Sequence, residues 1–228
     1  MSRYLVTGGM GFIGSHLVDL LVQEGHQVRI LDISSQSPWK EGIPSGVEYV
    51  QGDVSVFDAV LPAFEGIDGV FHLAALPRVA YSIDHPVETA KTNITGTLHV
   101  LAAAHAQKVK RVVYSTSSAV YGNARTLPMT TDLPAEPLSP YALHKYVGEC
   151  YAKQYASLFG LETVSLRYFN VYGPRMADEG AYGTVLSIFK KQRQSGESLT
   201  IDGTGEQTRD FVHVFDVVRA NLLAMQAP

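Results

Sequence analysis

The chain has 228 residues, of which 46% are hydrophobic and 18% charged, and it carries a formal net charge of −4. This weak charge, without a basic stripe, argues against nucleic-acid binding, and no apolar run reaches the roughly 20 residues that cross a bilayer. Cys150 is the single cysteine. A segment typical of a β-strand begins at Arg3. We therefore expect no intrachain disulfide, no signal peptide and a cytoplasmic protein.

Short β-branched segments alternate with amphipathic ones along the first 169 residues. Buried strands are predicted at 3–7, 27–31, 47–51, 69–73, 111–115 and 162–168. Helices are predicted between them, at 12–24, 55–64, 84–107 and 140–159. This alternation is typical of βαβ units, so we expect an α/β fold whose parallel sheet carries helices on both faces.

The pattern changes after residue 169, where the loops become longer. A helix is predicted at 183–195, a short strand at 198–201, and a last helix near 215–226, directly after "FVHV". We interpret residues 1–169 as a nucleotide-binding domain. Residues 170–228 are interpreted as a partial region that builds a lid or substrate pocket beside it.

The stretch "TGGMGFIG" (7–14) follows the first predicted strand and opens the first predicted helix. Gly8, Gly11 and Gly14 recur every third residue, a spacing that suits either a structural loop or a turn that lets the backbone approach a pyrophosphate. Asp32, at the end of the second strand, decides for the second interpretation, because a carboxylate there can accept hydrogen bonds from a ribose. No Arg or Lys follows it before Lys40, which favours NAD over NADP.

Two further segments give weaker signals. Asp53 and Val54 follow the third strand, where they either lie near an adenine or form an ordinary capped turn. The segment "HLAA" (72–75) ends the fourth strand with small residues, which suits either close contact with a diphosphate or a plain turn. The residues alone leave both alternatives open.

Tyr141 and Lys145 occur in "SPYALHK", four residues apart near the start of a predicted helix, so their side chains share one face. The pair alone is weak evidence; it gains meaning from its position after the fifth strand and close to Ser117. A nearby ammonium and a cationic nicotinamide would lower the tyrosine pKa from its usual value of about 10. Tyr141 would then take a proton from a substrate hydroxyl as hydride leaves for NAD, with Ser117 bonded to the same oxygen.

Together, seven segments resemble the extended short-chain dehydrogenase/reductase superfamily, specifically its NAD-dependent nucleotide-sugar epimerase/dehydratase group. They are "TGGMGFIGSHL", "HLAA", "NITGT", "STSSAVYG", "YALHK", "RYFNVYGP" and "GTGEQTRDFVHVFDV". The resemblance covers essentially the whole chain. It implies a Rossmann-type, doubly wound N-terminal domain, a smaller C-terminal substrate region, tightly bound NAD, no metal, and a homodimer that forms through the helices near 90–106 and 140–159.

The resemblance also assigns roles to individual positions. The implied catalytic residues are Ser117, Tyr141 and Lys145. The implied cofactor-binding residues are Gly8, Gly11, Phe12, Ile13, Gly14, Asp32, Asp53, Val54, Leu73, Ala74, Ala75, Asn93, Ser115, Tyr141, Lys145 and Tyr168. The implied substrate-binding residues are Ser117, Asn170, Thr184, Val185 and Arg209, the last suited to a phosphate.

Within the family, dehydratases and decarboxylases carry an acidic residue just before "VYG", whereas this chain has Ser118 and Ala119. The resemblance therefore implies a UDP-sugar 4-epimerase, of the UDP-glucose/UDP-galactose type, that works through a 4-keto sugar. Two alternatives remain: a reductase or other-carbon epimerase of nucleotide sugars, and an NAD-binding protein without turnover. Family members usually continue past the equivalent of Pro228, so the chain is expected to be a fragment or a short member.

Overall fold

Six parallel strands form the central sheet of the computed structural model, which describes residues 1–124, 126–176, 185–201 and 203–227. The strands are β1 (Arg3–Thr7), β2 (Gln27–Asp32), β3 (Glu48–Gln51), β4 (Gly69–His72), β5 (Arg111–Ser117) and β6 (Glu162–Tyr168). Their order across the sheet is β3-β2-β1-β4-β5-β6, and every neighbouring pair is parallel. This is the doubly wound Rossmann order, so the predicted fold class is confirmed.

Helices cover both faces of the sheet, and a small second sheet follows it in the chain. The helices are α1 (Phe12–Gln23), α2 (Phe57–Val60), α3 (Val79–Asp84), α4 (Pro86–Ala90), α5 (Gly96–Ala106), α6 (Pro140–Phe159), α7 (Val185–Gln194) and α8 (Val214–Gln226). Two short strands, β7 (Asn170–Tyr172) and β8 (Phe211–His213), pair in parallel to form the second sheet. Within the described ranges, no helix combines the length and apolarity that a membrane crossing requires.

Side-chain alternation along the strands divides the core into two layers. On β1, Leu5 packs into the layer that contains α2 and α5, whereas Tyr4 and Val6 pack into the opposite layer. That second layer contains α1 and also α8, which contributes Val218 and Leu222. The last described helix therefore shares a hydrophobic core with the first strand. The proposed division of the chain at residue 169 stays a prediction.

The structure differs from the sequence prediction in three segments. The predicted helix at 55–64 is a short α2 followed by a 3₁₀ turn, and the one at 84–107 is interrupted by a π-helical turn at Lys91–Thr95. The strand predicted at 198–201 is wrong. There the Thr200 backbone N–H donates to the Gln192 side chain of α7, 3.0 Å away, so the segment attaches to a helix instead of a sheet.

Candidate active site

A crevice of about 860 Å³ follows the carboxyl ends of the six strands. The strand order reverses between β1 and β4, and ligands of such sheets bind at this reversal point. The crevice is lined by the loops that follow β1, β3 and β4 and by the ends of β2, β5 and β6. Of the residues predicted to bind cofactor, those that line it are Gly8, Gly11, Phe12, Ile13, Gly14, Asp32, Asp53, Val54, Leu73, Ala74, Ala75, Ser115, Tyr141, Lys145 and Tyr168.

Two glycines of the loop, Gly8 and Gly14, have no room for a side chain. Gly8 has a φ of +72°, and a Cβ there would lie 2.7 Å from the backbone nitrogen of Ala74. A Cβ on Gly14 would lie 2.1 Å from the Gly8 oxygen. Helix α1 begins at Phe12 without a side-chain cap on its first turn, which leaves helix N–H groups to bind an anion. The glycine loop brings the backbone close to the crevice, and the uncapped start of α1 supplies N–H groups there. This arrangement, which we call the glycine cradle, fits the pyrophosphate of NAD.

Two acidic side chains lie along the adjoining wall. The Asp32 carboxylate accepts hydrogen bonds from the backbone N–H groups of Met10 and Ser34, each 2.9 Å away. It therefore fixes the glycine loop, and it keeps lone pairs for further donors such as ribose hydroxyls. Asp53 lines the crevice and also accepts from the Ser55 backbone N–H at 2.8 Å. The two sequence interpretations of Asp53, crevice residue and turn cap, are compatible in this geometry.

Asn93 lies behind the crevice wall instead of in it. Its Oδ1 accepts from the Leu76 backbone N–H at 2.8 Å, and its Nδ2 donates to the Leu76 carbonyl at 3.0 Å. The π-helical turn that holds Asn93 is a feature often found at functional sites. Asn93 is 1% exposed, so in this structure it supports the loop after β4 that faces the crevice.

Ser117, Tyr141 and Lys145 line the crevice together at the ends of β5 and α6. The Ser139 side chain caps α6 by accepting from the Ala142 backbone N–H at 3.2 Å, and Pro140 occupies the first turn. Tyr141 and Lys145 then lie one turn apart on the buried face, 8% and 4% exposed. Ser117 lowers the pKa of the Tyr141 hydroxyl, so the two side chains interact at this end of the crevice. The Lys145 Nζ donates to the Ser115 carbonyl at 2.7 Å.

Burial changes the pKa values of two residues in this group. Burial raises the pKa of Tyr141 above its ordinary value, and the hydrogen bond from Ser117 opposes that rise only in part. Burial also lowers the pKa of Lys145 to about 7. We predicted that the ammonium and a cationic nicotinamide together would lower the tyrosine pKa, and this stays a prediction. Desolvation outweighs the effect of Ser117 on the pKa of Tyr141, and desolvation lowers the pKa of Lys145, because both side chains are nearly fully buried.

Sequence reasoning missed Asn221, which reaches this site from α8. Tyr168 lines the crevice, and its hydroxyl lies 2.9 Å from the Ser115 hydroxyl and 2.6 Å from Asn221 Nδ2. Asn221 is fully buried, and its Nδ2 also donates to the Val217 carbonyl at 2.8 Å. No local pattern marks an asparagine in an amphipathic helix as a partner of a strand 53 residues away.

A buried ion pair fixes the same end of the sheet, and sequence reasoning missed it as well. Glu149 of α6 is 3% exposed and accepts two hydrogen bonds from Arg167 of β6, at 2.9 and 2.7 Å. The Thr116 hydroxyl donates to the same carboxylate at 2.8 Å. The Arg167 guanidinium lies over the Tyr121 ring, 4.4 Å from its centroid. This cluster ties α6 to the two strands whose ends carry Ser117 and Tyr168.

Three of the predicted substrate positions, Asn170, Val185 and Arg209, are not part of the crevice lining, whereas Ser117 is. Asn170 is exposed, and its side chain donates to the Asp210 carbonyl at 2.9 Å. Val185 begins α7 and is 41% exposed. Arg209 is exposed and donates to the Thr208 carbonyl at 2.7 Å. Thr184 lies outside the described residues. Lining residues that sequence reasoning left out include Met10, Leu76, Lys91, Thr116, Phe169 and Val171.

Comparisons with known proteins agree with this geometry. The family described as NAD dependent epimerase/dehydratase matches residues 4–228. A UDP-glucose 4-epimerase of Mycolicibacterium smegmatis is 40% identical over 96% of this chain and 71% of its own length. A UDP-N-acetyl-alpha-D-glucosaminuronate decarboxylase of Bacillus cytotoxicus is 36% identical over 98% and 71%. The structure of a Thermus thermophilus UDP-glucose 4-epimerase with NAD superimposes with a TM-score of 0.90, at 36% identity, over 99% of this chain and 75% of that one.

Proposed function

The chain belongs to the NAD dependent epimerase/dehydratase family, and on that premise we propose that it is a UDP-sugar 4-epimerase that works through a transient 4-keto sugar. One observation carries the proposal: Ser117, Tyr141 and Lys145 line the same crevice as the glycine cradle. A proton-transferring phenol and a dinucleotide-binding turn therefore face one space. That combination suits reversible oxidation of a sugar alcohol.

The residues of the crevice fit NAD. The cradle at Gly8 and Gly14 and the uncapped start of α1 would hold the pyrophosphate, and the free lone pairs of Asp32 would hold a ribose. Tyr168 and Ser115 would lie at the nicotinamide end. When bound, NAD accepts a hydride and gives it back.

Tyr141 would move the proton. Its phenolate oxygen takes the proton of the sugar 4-hydroxyl as C4 is oxidised, and the resulting phenol returns that proton to the C4 oxygen after the keto sugar has presented its other face. The Ser117 hydrogen bond stabilises the phenolate, because it lowers the pKa that burial raises. Ser117 would also hold the C4 oxygen in place.

Lys145 would supply positive charge to the phenolate. Because its pKa is lowered to about 7, roughly half of the molecules carry the ammonium at neutral pH. The burial that causes this shift also excludes water from the reacting centre, which protects the keto sugar and strengthens each charge–charge interaction there.

The residues before "VYG" favour epimerisation over elimination or decarboxylation. Ser118 and Ala119 occupy this position in the 3₁₀ turn that follows β5, and neither carries a carboxylate. Loss of water from a 4-keto sugar needs an acid and a base beside the adjacent carbon. The same reasoning sets this chain apart from a decarboxylase, although one of its relatives carries that name.

We extend the proposal to the substrate nucleotide, the assembly and the compartment. Asn170, Thr184, Val185 and Arg209 would bind the nucleotide diphosphate, with the guanidinium on a phosphate. The chain would form a homodimer, supported by the apolar side chain of Leu158, which is 70% exposed at the end of α6. A cytoplasmic location is supported by the single cysteine, which excludes an intrachain disulfide.

The experiment incubates purified protein with UDP-glucose, UDP-galactose and their N-acetyl forms, with and without added NAD, and separates the products. We expect interconversion at C4, its loss in Tyr141→Phe with NAD still bound, and its retention in Tyr155→Phe, a control on the same helix. Conversion that persists in Tyr141→Phe would show that the base is another group. NAD binding without conversion of any substrate by the wild-type protein would overturn the 4-epimerase proposal.

A further inference from the structure

At the crevice wall, Tyr114 contacts two side chains from other elements, His72 and Lys145. The rings of His72 (β4) and Tyr114 (β5) are stacked, with centroids 5.5 Å apart and planes inclined by 20°. The Nζ of Lys145 (α6) lies over the Tyr114 ring, 5.0 Å from its centroid. Exposed fractions are 1% for His72, 1% for Tyr114 and 4% for Lys145. The Tyr114 ring is therefore a buried contact surface for a lysine that the proposed reaction uses.

The Lys145 ammonium has few other polar contacts. It has three N–H donors, and in the described part of the chain the Ser115 carbonyl is the group that accepts from it. Burial penalises its charged form. The negative face of an aromatic ring within about 6 Å attracts a cation, and the attraction grows when both are desolvated. Tyr114 meets both conditions.

The phenol ring is held firmly against α6. A Cβ on Gly148, one turn after Lys145, would lie 2.4 Å from the Tyr114 hydroxyl oxygen and 2.6 Å from Cζ. The absence of a side chain at position 148 lets the helix approach β5 closely enough for the ring to reach Nζ. The ring and the ammonium are therefore positioned by one packed contact between β5 and α6.

We propose that Tyr114 is a positioning residue, whose ring face holds the Lys145 ammonium at the crevice wall and keeps more of it charged than an aliphatic side chain would. The consequence for turnover rests on the proposed function, since the ammonium is assigned there to the Tyr141 phenolate. The contact between the ring and the cation does not rest on it.

Near neutral pH, His72 and Glu149 do not cancel the effect of the Tyr114 ring on the charge of Lys145. His72 is held by Thr7 Oγ1 at 2.7 Å and Thr97 Oγ1 at 3.0 Å, and burial first and Lys145 second lower its pKa to about 3, so it is neutral. The Glu149 carboxylate is bound by Arg167. Lys145 lines the crevice with Tyr141 and Tyr168, follows His144 in α6, and precedes Glu149 by about one turn of that helix.

The test compares Tyr114→Leu with Tyr114→Phe, which keeps the ring and removes only the hydroxyl. The pKa of Lys145 is read by NMR titration of ¹⁵N-lysine-labelled protein, with Lys145→Met to assign the signal. We expect the pKa of Lys145 to be about one unit lower in Tyr114→Leu than in the wild-type protein, and to be unchanged in Tyr114→Phe. Should Leu fail to fold, Tyr114→Met, which also lacks a ring, is expected to give the same decrease.

The same variants are then followed through the pH dependence of kcat with a UDP-sugar. The limb of the kcat–pH profile that Lys145 governs is expected to move to lower pH in the variants without a ring. The displacement should equal the change in the Lys145 pKa, and KM should be unchanged. Equal Lys145 pKa values in the ring-free and Phe variants would overturn the proposal. The NMR titration needs no substrate, so a protein without epimerase activity would refute the proposed function and leave this test intact.

Discussion

The crevice wall and the segment after β6 hold their functional side chains in different ways. In the wall, Tyr141 and Lys145 are 8% and 4% exposed. Asp32 and Asn93 each make two hydrogen bonds to loop backbone. After β6, Arg209 is exposed and bonds its neighbouring residue in the chain. Long-range packing therefore fixes the cofactor side, whereas Arg209, proposed to bind substrate, makes a local contact.

This difference has a consequence for mutations. A buried group with several partners cannot be changed without leaving a cavity, a clash or an unpaired charge, so its loss affects folding and cofactor binding together. An exposed group with one local contact can be removed with little effect on stability. The following substitutions test this contrast, from the largest expected effect to the smallest.

Gly14→Ala is expected to abolish measurable NAD binding. The added Cβ would lie 2.1 Å from the Gly8 oxygen, so the cradle must open. Isothermal titration with NAD measures the affinity, and we expect a loss of at least about 100-fold, or about 2.8 kcal/mol. Gly25→Ala, at the other end of α1 with open space around its Cβ, is the control for nonspecific backbone strain. Wild-type affinity in Gly14→Ala would contradict the assigned pyrophosphate site.

Glu149→Gln is expected to lower the free energy of unfolding by about 3 kcal/mol, because it leaves the Arg167 guanidinium without its ionic partner. Urea denaturation measures the change. Glu162→Gln is the matched control: this carboxylate pairs with Arg111 at 2.7 Å, but its side chain is 43% exposed, so we expect a loss below about 1 kcal/mol. Equal losses would show that burial does not distinguish the two pairs.

His72 is expected to make the folded state sensitive to acid. Its pKa is lowered to about 3, so between that value and the unfolded value of about 6.5 the unfolded chain binds a proton that the folded chain does not. Stability from this group is present above pH 6.5 and is lost as the pH falls towards 3; the loss is about 2 kcal/mol at pH 5.

Denaturation of the wild-type protein and His72→Gln at pH 8 and pH 5 measures this effect. The variant is expected to lose about 2 kcal/mol less between the two values than the wild-type protein does. His105→Gln, at an exposed position, is the control. The same pH dependence in the wild-type protein and His72→Gln would mean that the buried imidazole takes up its proton in the folded state.

Arg209→Ala is expected to have the smallest effect on the fold, below about 0.5 kcal/mol, because the side chain is exposed. If the guanidinium binds a substrate phosphate, KM for the UDP-sugar rises about tenfold while NAD affinity stays unchanged. Arg219→Ala, exposed on α8, controls for the loss of a positive charge. An unchanged KM would remove Arg209 from the proposed substrate site.

Features encoded by neighbouring residues could be predicted from the sequence. The β-branched runs predicted all six strands of the large sheet, since a buried strand needs an apolar run of a few consecutive residues. The glycine spacing predicted a turn before α1, and the four-residue spacing placed Tyr141 and Lys145 on one helical face. The predicted strand at 198–201 failed because its partners lie on α7, whose side chains the local pattern does not specify.

Contacts between distant segments were decided by the tertiary structure alone. Asn93, predicted to lie under the cofactor, bonds Leu76, because the π-helical turn brings it under the loop after β4. Burial by the surrounding elements raises the pKa of Tyr141, an effect that the local sequence does not show. Periodicity and turn chemistry depend on adjacent residues, whereas desolvation and ring–cation contacts depend on which other elements pack nearby. The sequence therefore determined the fold and most of the predicted cofactor residues at the crevice, and packing determined their charge and their partners.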